Sequence, residues 1–247
     1  MKLRLLFTTC ILTLGLSTNN YASKQTMNPD ILTIEKATYI SLKSKPETAL
    51  QLEEFLYNGS SLVRKTEPGT PLWFGLKEKE HFAIFDLFYN ETGRERHFSG
   101  QVANALKENA SKLVQNGWEN GVVKNINNFD LITTNHFDKR KILNSKVANL
   151  IVFKAKPGKN QEIELFLHEA AQVIDATEPQ TYFWVALKAD TDTYAIFDTF
   201  PDKNSQTTHF SGKVATLLKS NADNLIIGGW ENGIIANIHD FQIIALS

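Results

Sequence analysis

The sequence predicts an α+β molecule: two ferredoxin-like β-α-β-β-α-β repeats packed together as an intramolecular version of a dimeric α/β barrel. Three observations carry that prediction. The first is internal repetition. HFSG stands at residues 97–100 and again at 209–212, followed by "QVANAL" and "KVATLL". Around it, "TEPGTPLWFGLK" returns as "TEPQTYFWVALK", "AIFDLF" as "AIFDTF", and "GWENG" recurs unchanged. The copies are offset by 111 residues at Trp73/Trp184 and by 112 at His97/His209, the extra residue falling between "EKEH" and "ADTDT", where a hairpin turn tolerates insertion. The second is the order of elements, the same in both copies. The third is that strands such as "FAIFDLF" are apolar on both faces, whereas two helices cover only one face of a sheet. Burying the bare face against the sibling copy removes it from water at about 25 cal/mol per Å².

Each element has its own reason. "ATYISLK" and "ANLIVFK" are β-rich runs ended by a Lys-Pro step. In the helix that follows in copy two, Ile163, Phe166, Leu167, Ala170, Val173 and Ile174 recur at three- and four-residue spacing, one apolar stripe. "PLWFGLK" and "FAIFDLF", joined by a polar turn, form an antiparallel hairpin. A second helix is expected to begin at HFSG, with Ser99 and Ser211 as N-caps and Val102, Leu106, Ala110 and Leu113 on its buried side. "GWENG" turns at Gly121 and the chain leaves along a last strand. The first domain is placed at residues 31–132, a linker at 133–141 and the second domain at 142–247.

The 247 residues are 42% hydrophobic and 21% charged, ample for a core, and the formal net charge of −1 without a basic stripe argues against nucleic acid or an anionic membrane as main partner. Residues 1–23 are expected to be a signal peptide: Lys2 and Arg4 precede the apolar "LLFTTCILTLGL", which is too short for a stable membrane anchor. Cleavage after Ser17 or after Ser23 stays open. The expected location is therefore periplasmic or secreted. Cys10 is the only cysteine, so the mature chain would rely on packing and not on disulfides.

The stretch "WFGLKEKEHFAIFDLFYNETGRERHFSGQVANAL" and its second copy resemble the antibiotic biosynthesis monooxygenase domain family, which includes quinol monooxygenases. The resemblance implies a dimeric α+β barrel and, in some members, oxygenation of small phenolic or quinol-like compounds by O₂ without cofactor or metal. Carried over position by position, it implies catalytic roles for Asp86 and His97 and for Asp198 and His209, with Trp73, Trp184, Phe85, Phe197 and Arg94 contacting substrate. Copy one keeps Gly93-Arg94 but has Tyr89-Asn90 where Pro-Asp is usual; copy two keeps Pro201-Asp202 but has Ser205-Gln206 where Gly-Arg is usual. A haem-degrading relative is not indicated, because Asn149 has Thr38 as its counterpart.

Two readings stand for the repeated residues. His97 and His209 are either bases acting near neutral pH or ties that hold the start of a helix. Asp86 and Asp198, among aromatics, are either catalytic or satisfied by backbone donors. Trp118 and Trp230 are expected to anchor the GWENG turns. His81, His136, His168 and His239 have no counterparts and are assigned surface or packing roles. Glu164 and His168 stand at i, i+4, but without a third ligand they are discounted as a metal pair. No phosphate-binding loop, nucleophile elbow or paired C-x-x-C occurs. The rival to an oxygenase is a non-catalytic barrel that binds a small ligand or a partner; further homo-oligomerisation is left open.

Overall fold

The structure, a computed structural model, describes residues 34–247. The expected export segment lies outside the described residues. Copy one runs β1 (Lys36–Lys43), α1 (Ala49–Thr66), β2 (Leu72–Glu78), β3 (His81–Phe88), α2 (Glu91–Phe98), α3 (Gln101–Leu113), α4 (Gly117–Gly121) and β4 (Ile126–Thr134). After a short helix α5 (Lys139–Ile142), copy two repeats the order as β5 (Val147–Lys154), α6 (Asn160–Thr177), β6 (Phe183–Lys188), β7 (Thr193–Phe200), α7 (Lys203–Phe210), α8 (Lys213–Leu225) and β8 (Ile238–Leu246).

The eight strands close into one antiparallel barrel in the order β1-β3-β2-β8-β5-β7-β6-β4. Within each copy the sheet has the ferredoxin order, and each copy's two edge strands pair with the sibling. β2 joins β8 and β4 joins β6, both seams carrying a bulge. Closure removes every free edge. The helices extend across the seams too: α1 packs on β8 as well as β2, and α6 on β4 as well as β6.

Alternation along the strands builds two kinds of core. Inward side chains, among them Tyr39, Phe74, Phe85, Phe197 and Phe241, fill the barrel. Phe85 and Phe197 stack face to face across it, centroids 3.9 Å apart. Outward side chains meet the helices, one cluster per copy, around Trp73 and Leu56 in the first and Trp184 and Leu167 in the second. The strands are apolar on both faces because both faces are buried.

One local expectation needs correction. Each copy has an additional helix, α2 or α7, before the one at HFSG. Ser99 and Ser211 close the C-terminus of that extra helix and do not open the next. Ser99 Oγ donates to the carbonyls of Glu95 (2.9 Å) and Arg96 (3.2 Å). Glycines 100 and 212 occupy the N-cap positions of α3 and α8. The linker between the copies packs onto the barrel: Phe137 is buried, and the Asn135 side chain accepts from Trp184 N (2.9 Å) and donates to Thr181 O (3.2 Å). No helix among the described residues is long and apolar enough to cross a membrane.

Candidate functional site

HFSG is the joint between α2 and α3, and each of its four residues has a separate task. The chain enters α2 through Asn90, whose side chain accepts from Gly93 N (3.0 Å); in copy two Asp202 accepts from Ser205 N (2.8 Å), so the two divergent spellings do the same capping. His97 ends α2, buried, where a cation also suits the helix dipole. Phe98 packs on the outer core, and Ser99 closes the helix. Gly100 makes room: a Cβ there would lie 2.7 Å from the Glu67 carboxylate, and one at Gly212 would lie 2.7 Å from Glu178.

That carboxylate is the residue the motif is built around. Glu67 is the C-cap of α1, fixed by its N–H to Val63 O (2.9 Å), and Pro68 prevents the helix from continuing. One Glu67 oxygen binds His97 Nδ1, while the other faces the start of α3, 3.5 Å from Val102 N. On the opposite side of the ring, His97 Nε2 meets Asp86 Oδ2 at 3.3 Å. This is an ion-pair contact and not a well-formed hydrogen bond, and Asp86 has no other partner. Copy two repeats the array, with His209 Nδ1 2.5 Å from Glu178 and Nε2 3.4 Å from Asp198. Glu67 and Glu178 were not singled out in the sequence, although the repeated "TEP" was the available signal.

Electrostatics follow from this sandwich. Burial alone would lower the pKa of His97, but Asp86 and Glu67 outweigh it and push it up to about 10. His209 reaches about 10 in the same way: burial opposes the shift, and Asp198 and Glu178 overcome it. Desolvation raises the pKa of Asp86, a tendency His97 counteracts and Glu67 reinforces. With both ring nitrogens engaged and a proton on each, these histidines are imidazolium ions at neutral pH. The base-and-tie alternatives of the sequence thus become one object, an imidazolium clamped between two carboxylates.

The two copies diverge around that object. In copy two Asn149 donates to Asp198 Oδ1 (2.9 Å) and accepts from Gln206 (2.5 Å), which also donates to Asp240 (3.0 Å). In copy one the Asn149 position is Thr38, bonded to Asn128 (2.8 Å), and the Gln206 position is Arg94. Copy two also holds an apolar cleft of about 20 Å³ between sheet and helices, lined by Trp184, Asp198, His209, Phe210 and Trp230 among others. Its outer wall is the GWENG turn, wound as a π-helical turn (Gly229–Ile234) in copy two but as α4 in copy one. In copy one a cavity of about 290 Å³ reaches His97 from the Glu67 side, past Arg96 and Gln101.

Comparison with solved structures places this architecture. A candidate monooxygenase from Fusobacterium nucleatum superposes with a TM-score of 0.68 at 13% identity, over 87% of this chain and 94% of its own. One from Lactobacillus acidophilus gives 0.64 at 12% identity, over 87% and 96%. The chain shares the closed ferredoxin-like barrel fold of these structures. An anthrone oxidase-like protein shares the fold at a TM-score of 0.55 and 9% identity, over 87% of this chain and 93% of its own. No family model and no curated protein matches the sequence.

Within this barrel the sequence-derived candidates fall on two faces of the sheet. Cross-strand register puts Trp73 and Thr38 beside Asp86, and Trp184 and Asn149 beside Asp198, all on the helix side. Trp73, Trp184, Asp86, Asp198, His97 and His209 therefore do converge, copy by copy. Phe85 and Phe197 do not join them: they point into the barrel and stack on each other. A one-residue step along a strand reverses the face. Arg94 is also elsewhere, paired with Glu91 and 3.4 Å from the carbonyls of Ala37 and Phe129.

Proposed function

We propose that the protein is an oxygenase of small phenolic or quinol-like compounds, working in the cleft of copy two without a bound cofactor. The observation that carries this reading is that the Asp198–His209 pair borders an apolar cleft walled by Trp184, Phe210 and Trp230. In such a site Asp198 accepts the phenolic proton, and the His209 imidazolium stabilises the anion. The electron-rich anion reduces O₂: one oxygen atom becomes a carbonyl on a ring carbon that loses its single hydrogen, and the other leaves as water, carrying that hydrogen and the phenolic proton held by Asp198. The substrate supplies all the electrons. The cleft as it stands holds one water-sized molecule, so an aromatic ring enters only when half-buried Phe210 and Trp230 swing outward.

Oxygen uptake with a panel of hydroquinones tests the reading. Asp198→Asn is expected to lower kcat/KM by about 100-fold or more, and Asp86→Asn to leave it nearly unchanged. A second reading, a non-catalytic ligand-binding barrel, draws on the small size of the cleft. It predicts ligand-induced thermal shifts with no oxygen consumption by any variant. Export through residues 1–23 belongs to the same proposal and rests on Lys2, Arg4 and the apolar run behind them. Mass spectrometry of protein recovered from the periplasm of a secreting host should find the N-terminus shortened to follow Ser17 or Ser23; an intact Met1 would overturn it.

A further inference from the structure

Away from both histidine arrays, one mouth of the barrel gathers three metal-ligating side chains. Glu78 ends β2, His81 begins β3, and His239 lies near the start of β8, so the group spans the seam between the copies. Each offers a ligand atom, and these atoms lie within 4.8 Å of one another. Among the described residues no other such trio converges. His81 and His239, assigned surface or packing roles from the sequence, meet across the seam with ring centroids 5.7 Å apart.

We infer that Glu78, His81 and His239 form a binding site for a borderline divalent cation of the zinc type. The donor set is two imidazoles and one carboxylate, which suits zinc and its first-row neighbours and leaves a fourth position to water. Ligands of a tetrahedral zinc stand roughly 3.4 Å apart, so modest side-chain movement closes the trio on an ion. The surroundings resemble the support that ligating residues require. His81 Nε2 is 2.7 Å from Ser41 Oγ, and His239 stacks on Phe241 at 5.6 Å. Glu78 is held by Asp240 N at 3.2 Å and touches His239 Nδ1 at 3.2 Å. All three ligands are half-buried, and the mouth opens into a groove of about 690 Å³ rimmed by Lys43, Lys79 and Glu80, so an ion has a path in.

A second, independent feature points the same way. Tyr39 is 5% exposed, its ring lies 6.4 Å from that of His239, and its hydroxyl has no hydrogen-bond partner. A buried phenol left unsatisfied beside Glu78 and Ser41 is costly, and an ion with its bound water supplies the missing partner. The pseudo-symmetric mouth gives the internal comparison. There the positions of Tyr39, Ser41, Glu78, His81 and His239 hold Leu150, Val152, Ala189, Thr193 and Asn127. Only one of the two mouths carries these ligating side chains.

The test uses the full chain, stripped with chelator and titrated with Zn²⁺ by calorimetry, with Co²⁺ as the spectroscopic probe. One equivalent should bind with micromolar or tighter affinity, raise Tm by several degrees and give Co²⁺ bands of low coordination number. His81→Gln and His239→Gln, half-exposed positions that leave the core intact, should each weaken binding tenfold or more, with circular dichroism unchanged. The inference is overturned if no stoichiometric binding occurs, or if the double variant binds as tightly as the parent. Neither outcome depends on oxygenase activity.

Discussion

At the scale of single residues, the central object is a charged ring held by two carboxylates inside the protein. A buried pair is not in itself a net stabiliser, but removing one member strands the other, at a cost of about 3–5 kcal/mol. His97→Asn leaves Glu67 and Asp86 facing each other across a neutral amide, and a loss of that order is expected in urea unfolding. The pH dependence has a definite sign. The folded imidazole keeps its proton up to about 10, whereas the unfolded chain releases it near 6.5. The stabilisation is therefore complete below about pH 6.5 and is lost as pH rises toward 10. The raised pKa of Asp86 adds to the same direction. Urea midpoints measured from pH 6 to 10 should fall in the parent and fall less steeply in His97→Asn and His209→Asn. Equal slopes in all three would mean that neither ring is held as a cation.

At the scale of elements, the joint between α2 and α3 works because a glycine lets a glutamate reach the start of a helix. At Gly100 a Cβ would meet Glu67 at 2.7 Å and the carbonyls of Arg96 and His97 at 3.0 Å. Backbone conformation is not the constraint, since φ is −81°. Gly100→Ala should therefore displace Glu67 from His97 and cost about 1–3 kcal/mol, seen as a lower Tm and a weaker pH dependence together. A fall in Tm with the pH slope intact would show that the alanine acts on the helix alone. This joint was only half legible in the sequence. A serine before glycine reads equally as the cap of a helix ahead or behind. α2, "ETGRERHF", buries only Gly93 and His97, so it presents no apolar stripe to announce it. The faces of β3 were hidden for the opposite reason: adjacent Phe85 and Asp86 must lie on opposite faces, but a strand buried on both sides does not show which face meets the helices. Glu67 escaped notice, and Asn149 and Gln206 were noted without a role, because their partners are brought together only by the fold.

At the scale of the whole molecule, the repeat and its bare apolar face were legible because period and hydrophobicity are properties of the chain itself. The pairing across the seams, edge strand to edge strand, required the structure. It makes a sharp prediction about half of the protein. A fragment of residues 34–135 keeps β1, β2, β3 and β4 but loses β8 beside β2 and β6 beside β4. Two strand edges are left unpaired, and Tyr39, Phe74, Phe85 and Phe129 are uncovered on one face. Neither defect can be repaired within the fragment, because α1 and α3 already cover the other face. A second copy repairs both at once, since β4 of one fragment can take the place of β8 beside β2 of the other, and Ile126/Phe129 in β4 correspond to Ile238/Phe241 in β8. The side chains facing the barrel interior are then nearly those present now. Tethering supplies the sibling at high effective concentration in the intact chain, so the fragment should dimerise with a measurable dissociation constant and be less stable than the parent. Light scattering after size exclusion should find about twice the fragment mass at tens of micromolar, with dissociation accompanied by unfolding. A folded, cooperative monomer persisting on dilution would show that each half has a complete core of its own, and the barrel would then be an association of independent domains and not one folding unit.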